Sequence, residues 1–81
     1  MRARVYITPR RGILDPQGRA AEGALKSLGF DGVNGVHVGR YIVLDLDSPS
    51  HTAAEETVKR MCDQLLANPN IEDYSFEVET G

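Results

Sequence analysis

Polar and apolar residues alternate along the first segment of the chain. Ala3, Val5 and Ile7 point one way, Arg4, Tyr6 and Thr8 point the other, and Pro9 ends the run. A period of two with one apolar side predicts a half-buried strand. Arg10-Arg11-Gly12 follows as a polar turn, and Ile13-Leu14 leads into the next element. There the period changes to that of a helix. Ala20, Ala21, Ala24, Leu25 and Leu28 share one side, with Arg19, Glu22 and Lys26 on the wetter one. Asp15 and Pro16 fit the N-cap and first helical positions, and Gly29 the left-handed residue after the last turn, with Phe30 supplying the following apolar contact. The small residues of the inner face predict a close approach to a sheet. Gly18 and Gly23 each cost about 1 kcal/mol against alanine inside a helix, so each calls for a packing reason.

The second half repeats the order. Val36 and Val38, then Gly39-Arg40, then Tyr41 to Asp47 predict two strands joined by a tight turn, or one long strand with a glycine bulge. Ile42, Leu44 and Leu46 make one side of the later run, and Tyr41, Val43 and Asp45 the other. Ser48 to Thr52 opens a second helix, with Thr52 and Glu55 at capping-box spacing and Ser50 as the alternative cap. Its apolar stripe is Ala54, Val58, Met61, Cys62, Leu65 and Leu66, and Asn68-Pro69 ends it. A last strand runs from Ile71 to Thr80, with Tyr74, Phe76 and Val78 inward and an acidic outer side. Strand, helix, strand, strand, helix, strand is the split βαβ order, and it predicts an α+β fold (βαββαβ, ferredoxin-like) with two helices on one face of an antiparallel sheet. The other face would carry Tyr6, Tyr41 and Val43, which a second copy or a partner protein should cover.

Length and charge narrow the possibilities. Eighty-one residues are enough for one domain over 1–81, 41% of them hydrophobic and 26% charged. Nine Lys and Arg against twelve Asp and Glu give a net charge of -3. That argues against a nucleic-acid footprint and a polybasic membrane patch. No apolar run approaches the roughly 20 residues of a membrane span, and no signal-peptide h-region follows Met1. A lone cysteine and two histidines provide neither a disulfide framework nor a metal cluster, so a cytoplasmic setting is expected. So small a chain sits near the margin of stability, and oligomerisation is the expected supplement.

Chemistry is sparse. The chain has no phosphate-binding loop, dinucleotide fingerprint, nucleophile elbow or zinc-protease motif. Cys62 lies on an apolar stripe, where a thiol behaves as a small hydrophobe. His37 sits between two valines and His51 at a helix start, neither with an evident carboxylate partner. The acid pairs Asp45/Asp47, Glu55/Glu56 and Glu72/Asp73 read as solvated charge. Arg10, Arg11, Arg19 and Arg40 make an anion or docking patch if the loop after the first strand lies near Gly39-Arg40; otherwise they are loop charge. Tyr6 and Tyr41 suggest an RNA-recognition module, but its glycine-aromatic signature and basic face are missing. No catalytic and no metal-ligating residue is assigned.

Several blocks of the chain resemble one family. They are Gly12-Ile13-Leu14-Asp15-Pro16-Gln17-Gly18, Ala24-Leu25 with Leu28-Gly29-Phe30, Val36-His37-Val38-Gly39-Arg40-Tyr41-Ile42, Met61-Cys62, Leu65-Leu66-Ala67-Asn68-Pro69 and Ile71-Glu72-Asp73-Tyr74. Together they resemble the PurS family, the small subunit of phosphoribosylformylglycinamidine (FGAM) synthase, over nearly the whole chain. Asn70 departs from the pattern, standing where members commonly have an aliphatic residue, and the sequence ends at Gly81 without a longer tail. The resemblance implies a non-catalytic, homo-oligomeric subunit, a homodimer or dimer of dimers with paired sheets, in a glutamine amidotransferase ligase of purine biosynthesis. In that family the large subunit PurL uses ATP and Mg²⁺, the glutaminase PurQ releases ammonia, and the small subunit bridges them. No cofactor is expected in this chain itself. Asp15, Gln17, Gly18, Arg19, Gly39 and Arg40 are then partner-interface candidates, although helix initiation also explains Asp15 and a turn also explains Gly39 and Arg40. Tyr6, Tyr41 and Val43 are oligomer-face candidates. A free-standing ferredoxin-like regulatory domain that binds a small molecule is the alternative.

Overall fold

The computed structural model describes residues 1–12 and 15–79. Ile13 and Leu14, expected to lead into the first helix, lie outside the described residues, as do Thr80 and Gly81. The element order is β1 (Arg2–Pro9), α1 (Pro16–Ser27), β2 (Arg40–Asp45), α2 (His51–Met61) continuing into a π turn (Cys62–Leu66), and β3 (Glu72–Glu79). The strands form one antiparallel sheet in the order β2-β1-β3, with Val5 opposite Ile42 on one side and Phe76 on the other. The split βαβ reading holds, but the described residues form three strands instead of four. Val36–Val38 joins no ladder, so neither the hairpin nor the bulged strand forms at Gly39-Arg40.

One face of the sheet carries the core. Ala3, Val5 and Ile7 of the central strand are buried beneath Val58 and Cys62, with Ile42, Leu44, Leu46, Phe76 and Val78 packed around them. Ser50, not Thr52, caps α2: its hydroxyl accepts from the Ala53 amide at 3.1 Å. The stripe of α2 matches expectation through Cys62 and then slips. In the π turn the Ala67 amide donates to the Cys62 carbonyl at 3.0 Å, five residues back instead of four. The wider turn brings Leu66 and Ala67 inward and leaves Leu65, expected in the core, 82% exposed.

The first helix is formed as the sequence predicts and placed where it does not. Asp15 caps its start, Pro16 opens it, and Gly29 closes it at φ 98°. The Phe30 amide donates to Leu25 O and the Gly29 amide to Lys26 O, both at 3.0 Å, the paired bonds of a Schellman end. Yet α1 makes no substantial contact with any strand among the described residues. Ala20, Ala24 and Leu28 of its apolar stripe are exposed, and Ala21 and Leu25 are half-buried. The radius of gyration, 16.1 Å, exceeds the roughly 12 Å of a compact chain of this length. The molecule measures 51 × 27 × 14 Å because one helix layer stands off its sheet.

Candidate docking site

Asp15 works with both of its oxygens. Oδ1 accepts from the Gly18 amide at 3.0 Å and Oδ2 from the Val38 amide at 2.9 Å, so one carboxylate caps α1 and ties down the chain on its way to β2. Its side chain is only 11% exposed. The donated bonds, Gly18 first and Val38 second, hold the Asp15 carboxyl below the usual carboxylate range. Gly18 supplies the reason its position called for. A Cβ there would lie 2.1 Å from the Val36 carbonyl oxygen and 2.4 Å from Asp15 Oδ2, so no other residue fits under the crossing strand of chain. Gly23 has no such neighbour. Gln17 and Arg19 are exposed, and Arg19 borders a 330 Å³ cavity with Gly12, Asp15, Glu22, Gly35, Val36 and His37.

Gly39 and Arg40 belong to a second cluster, at the end of the sheet. A Cβ on Gly39 would stand 2.1 Å from Ile7 O, so close approach to β1, not a tight turn, demands glycine there. Arg40 Nη2 donates to Glu72 Oε1 at 2.7 Å, and the Asn68 amide donates to the same oxygen at 2.8 Å. The Asn68 bond leads in holding the Glu72 carboxyl below its ordinary range, with Arg40 adding to it. Arg10 reaches Asp73 at 3.4 Å, and its amide donates to Ile71 O at 2.9 Å. Arg10 and Arg40 thus do meet at one end of the sheet, each matched to a carboxylate. Glu72, read from sequence as solvated charge, is the junction of β2, β3 and the turn between α2 and β3. The Ile71-Glu72-Asp73-Tyr74 block was the signal that marked it. Asn70, the departure from the family pattern, donates its amide to Asn68 Oδ1 at 3.1 Å in the same turn.

The outer sheet face is where the alternation placed it. Tyr6 and Tyr41 stack with ring centres 5.3 Å apart, and the Tyr6 hydroxyl donates to Glu77 at 2.7 Å. Val43 is exposed beside them. Arg2 pairs with Asp45 at 2.9 Å, and Arg4 with Glu79. Cys62 is fully buried, and burial pushes its thiol upward, as expected of a core position. On the helix side the Tyr74 hydroxyl donates to Asp63 at 2.6 Å, a bond that pushes its ionisation up to about 12. His51 sits 3.0 Å from Val78 O and 2.6 Å from a Glu55 oxygen, linking α2 to β3. Among the described residues no group of three His, Cys, Asp or Glu side chains is placed to hold a metal ion, and no helix is long and apolar enough to cross a membrane.

Comparison with known proteins shows which family the chain resembles. The family described as PurS, phosphoribosylformylglycinamidine (FGAM) synthase, matches residues 2–80. This chain belongs to the PurS family. It is similar to the PurS subunit of phosphoribosylformylglycinamidine synthase from Synechocystis, with 48% identity over 93% of this chain and 75% of that one. Among solved structures, PurS from Methanocaldococcus jannaschii, one of the subunits of formylglycinamide ribonucleotide amidotransferase in the purine biosynthetic pathway, superposes with a TM-score of 0.84. It is 38% identical and covers 96% of this chain and 94% of its own. A chain of the PurLQS structure from Thermotoga maritima superposes at 0.85, with 28% identity over 94% and 93%. Both clusters fall within the matched range, as does the detached helix α1. Membership in PurS makes the chain a subunit of FGAM synthase in purine biosynthesis.

Proposed function

We propose that this chain is the non-catalytic adaptor of the FGAM synthase complex. It bridges the glutaminase subunit PurQ and the ATP-dependent subunit PurL and helps ammonia pass between them as formylglycinamide ribonucleotide is converted to FGAM in the cytoplasm. ATP and Mg²⁺ act on the large subunit. The observation that carries this reading is α1, a formed helix whose apolar stripe makes no substantial contact with the sheet among the described residues, with Leu28 74% exposed. A helix of 12 residues is marginal in water without a packed face. Meanwhile Ile42, Leu44 and Leu46 of the β2 side are only half-buried. A chain with a spare helix and a partly bare sheet is built to be completed by other chains. A second copy is the first of these, in a homodimer or dimer of dimers, each α1 lying on the other copy's sheet. Tyr6, Tyr41 and Val43 are the face on which sheets stack. Gln17, Arg19 and Arg40 are the surface offered to the larger subunits, with Asp15, Gly18 and Gly39 setting the backbone that presents them.

The physical need for an adaptor lies in the chemistry of ammonia. Released into water it is protonated and diluted, so it must be handed over inside a closed assembly. A small oligomer that holds two large subunits together raises the effective concentration of each for the other. Reconstitution tests the reading: purified PurL and PurQ are assayed with and without this chain, using glutamine or an ammonium salt as nitrogen donor. Glutamine-driven turnover should require the chain, and ammonium-driven turnover should not. Equal rates without it sink the adaptor role and favour a free-standing regulatory domain.

A further inference from the structure

The chain has three asparagines, Asn34, Asn68 and Asn70, and the structure treats them differently. Pro69 follows Asn68, so that peptide bond has no amide nitrogen free to attack. Ile71 follows Asn70, and its amide is already donated to Asn68 O at 3.0 Å. Asn34 is followed by Gly35. Both are exposed, in the irregular stretch between α1 and β2. Among the described residues no hydrogen bond engages the Asn34 side chain or the Gly35 amide. Gly35 has φ 155°, a conformation open to glycine, and no Cβ screens its nitrogen. The site is also furnished with bases. The position a Cβ would take on Gly35 is 3.9 Å from His37 Nε2 and 4.0 Å from Glu22 Oε1.

We propose that Asn34-Gly35 is a self-modification site, its cyclisation assisted by the flanking His37 and Glu22. The Gly35 amide nitrogen, giving its proton to the neighbouring base, bonds to the Asn34 side-chain carbonyl carbon. The bond from that carbon to the side-chain nitrogen breaks, and ammonia leaves with the proton. The resulting succinimide adds one water and opens at either carbonyl, giving aspartate or isoaspartate. No oxidant or reductant is involved. The product carries one more negative charge, beside Glu22 and in the segment that Asp15 and Gly18 hold.

Ageing the full, folded chain in neutral ammonia-free buffer, with peptide mapping by mass spectrometry, tests this. Amide-to-acid conversion should accumulate at position 34 as a mixture of aspartate and isoaspartate, with Asn68 and Asn70 intact. Conversion should outpace that of a free peptide spanning residues 30–40, and should slow several-fold in His37→Ala and Glu22→Gln variants of the folded chain. Isomerisation at Asp31-Gly32 leaves the mass unchanged and is not mistaken for it. An Asn34 that outlasts the same residue in the peptide overturns the site. Rates untouched by both substitutions overturn the assistance.

Discussion

α1 and α2 are nearly equal in length, 12 and 11 residues, and similar in amphipathic pattern, yet α2 buries Ala54 and Val58 completely and α1 buries only Gly18. The difference is one of partners, not of helix chemistry. Both have a side-chain cap, Asp15 for α1 and Ser50 for α2. What α2 has in addition is β3 and the central strand beneath it. What α1 has is a stretch of backbone, Val36 to Val38, strapped across its first turn by Asp15. Capping fixes where a helix begins, but burial fixes where it lies, because burying a large apolar side chain contributes roughly 1.5–3 kcal/mol and a cap about 1. One helix is therefore anchored by area and the other by two hydrogen bonds and a glycine.

Substitutions should separate the two regions, and the largest effect belongs to the sheet. Ile7 is 1% exposed at the centre of the core, and Ile7→Ala should cost about 2–5 kcal/mol in denaturant unfolding. A loss no greater than that of a surface change would mean that the sheet–α2 core is not what holds the fold. Gly18→Ala comes next. Its new methyl collides with the Val36 carbonyl and Asp15, and overpacking of this kind costs about 1–3 kcal/mol. The loss should be local: hydrogen exchange should speed up in the first turn of α1 and at Val38, while the β1 amides stay protected.

Acid offers a gentler version of the same break. A carboxyl held below its unfolded value stabilises the folded state above that value and loses the effect as pH falls through the folded one. For Asp15 the protection of the Gly18 and Val38 amides should therefore be level from neutrality to about pH 5 and decline below about pH 4. Asp15→Ala should abolish that acid step at these two amides. A step that survives the substitution assigns it to another group. Leu28→Ala should do least, within about 0.5 kcal/mol for the isolated chain, since the side chain is largely exposed. A larger loss that grows with protein concentration would show the side chain buried by a second copy.

Local features were legible in the sequence because each rests on chemistry within a few residues. Asp15-Pro16 starts a helix and Gly29 ends it. The alternation of β1 separates Val5 from Tyr6, and the burial of Cys62 follows from its stripe. The family blocks picked out Asp15, Gly18, Gly39 and Arg40 but not what they do. Gly18 answers to Val36 eighteen residues on, Gly39 to the carbonyl of Ile7, and Arg40 to Glu72. Such reasons are long-range, and no local pattern encodes them. Leu65 shows the same limit on a smaller scale, since one five-residue step in the backbone turned a core position into a surface one.

The sequence by itself determined both helices, three of the four strands it predicted, where the helices begin, which side of each element is apolar and to which family the chain belongs. Those properties follow from side-chain spacing, capping and the blocks of residues that carry the resemblance. Only the tertiary structure decided that Val36 to Val38 straps a helix instead of joining the sheet, and that α1 stands away from a sheet its stripe would suit. Periodicity states that a face must be buried and is silent on which surface buries it.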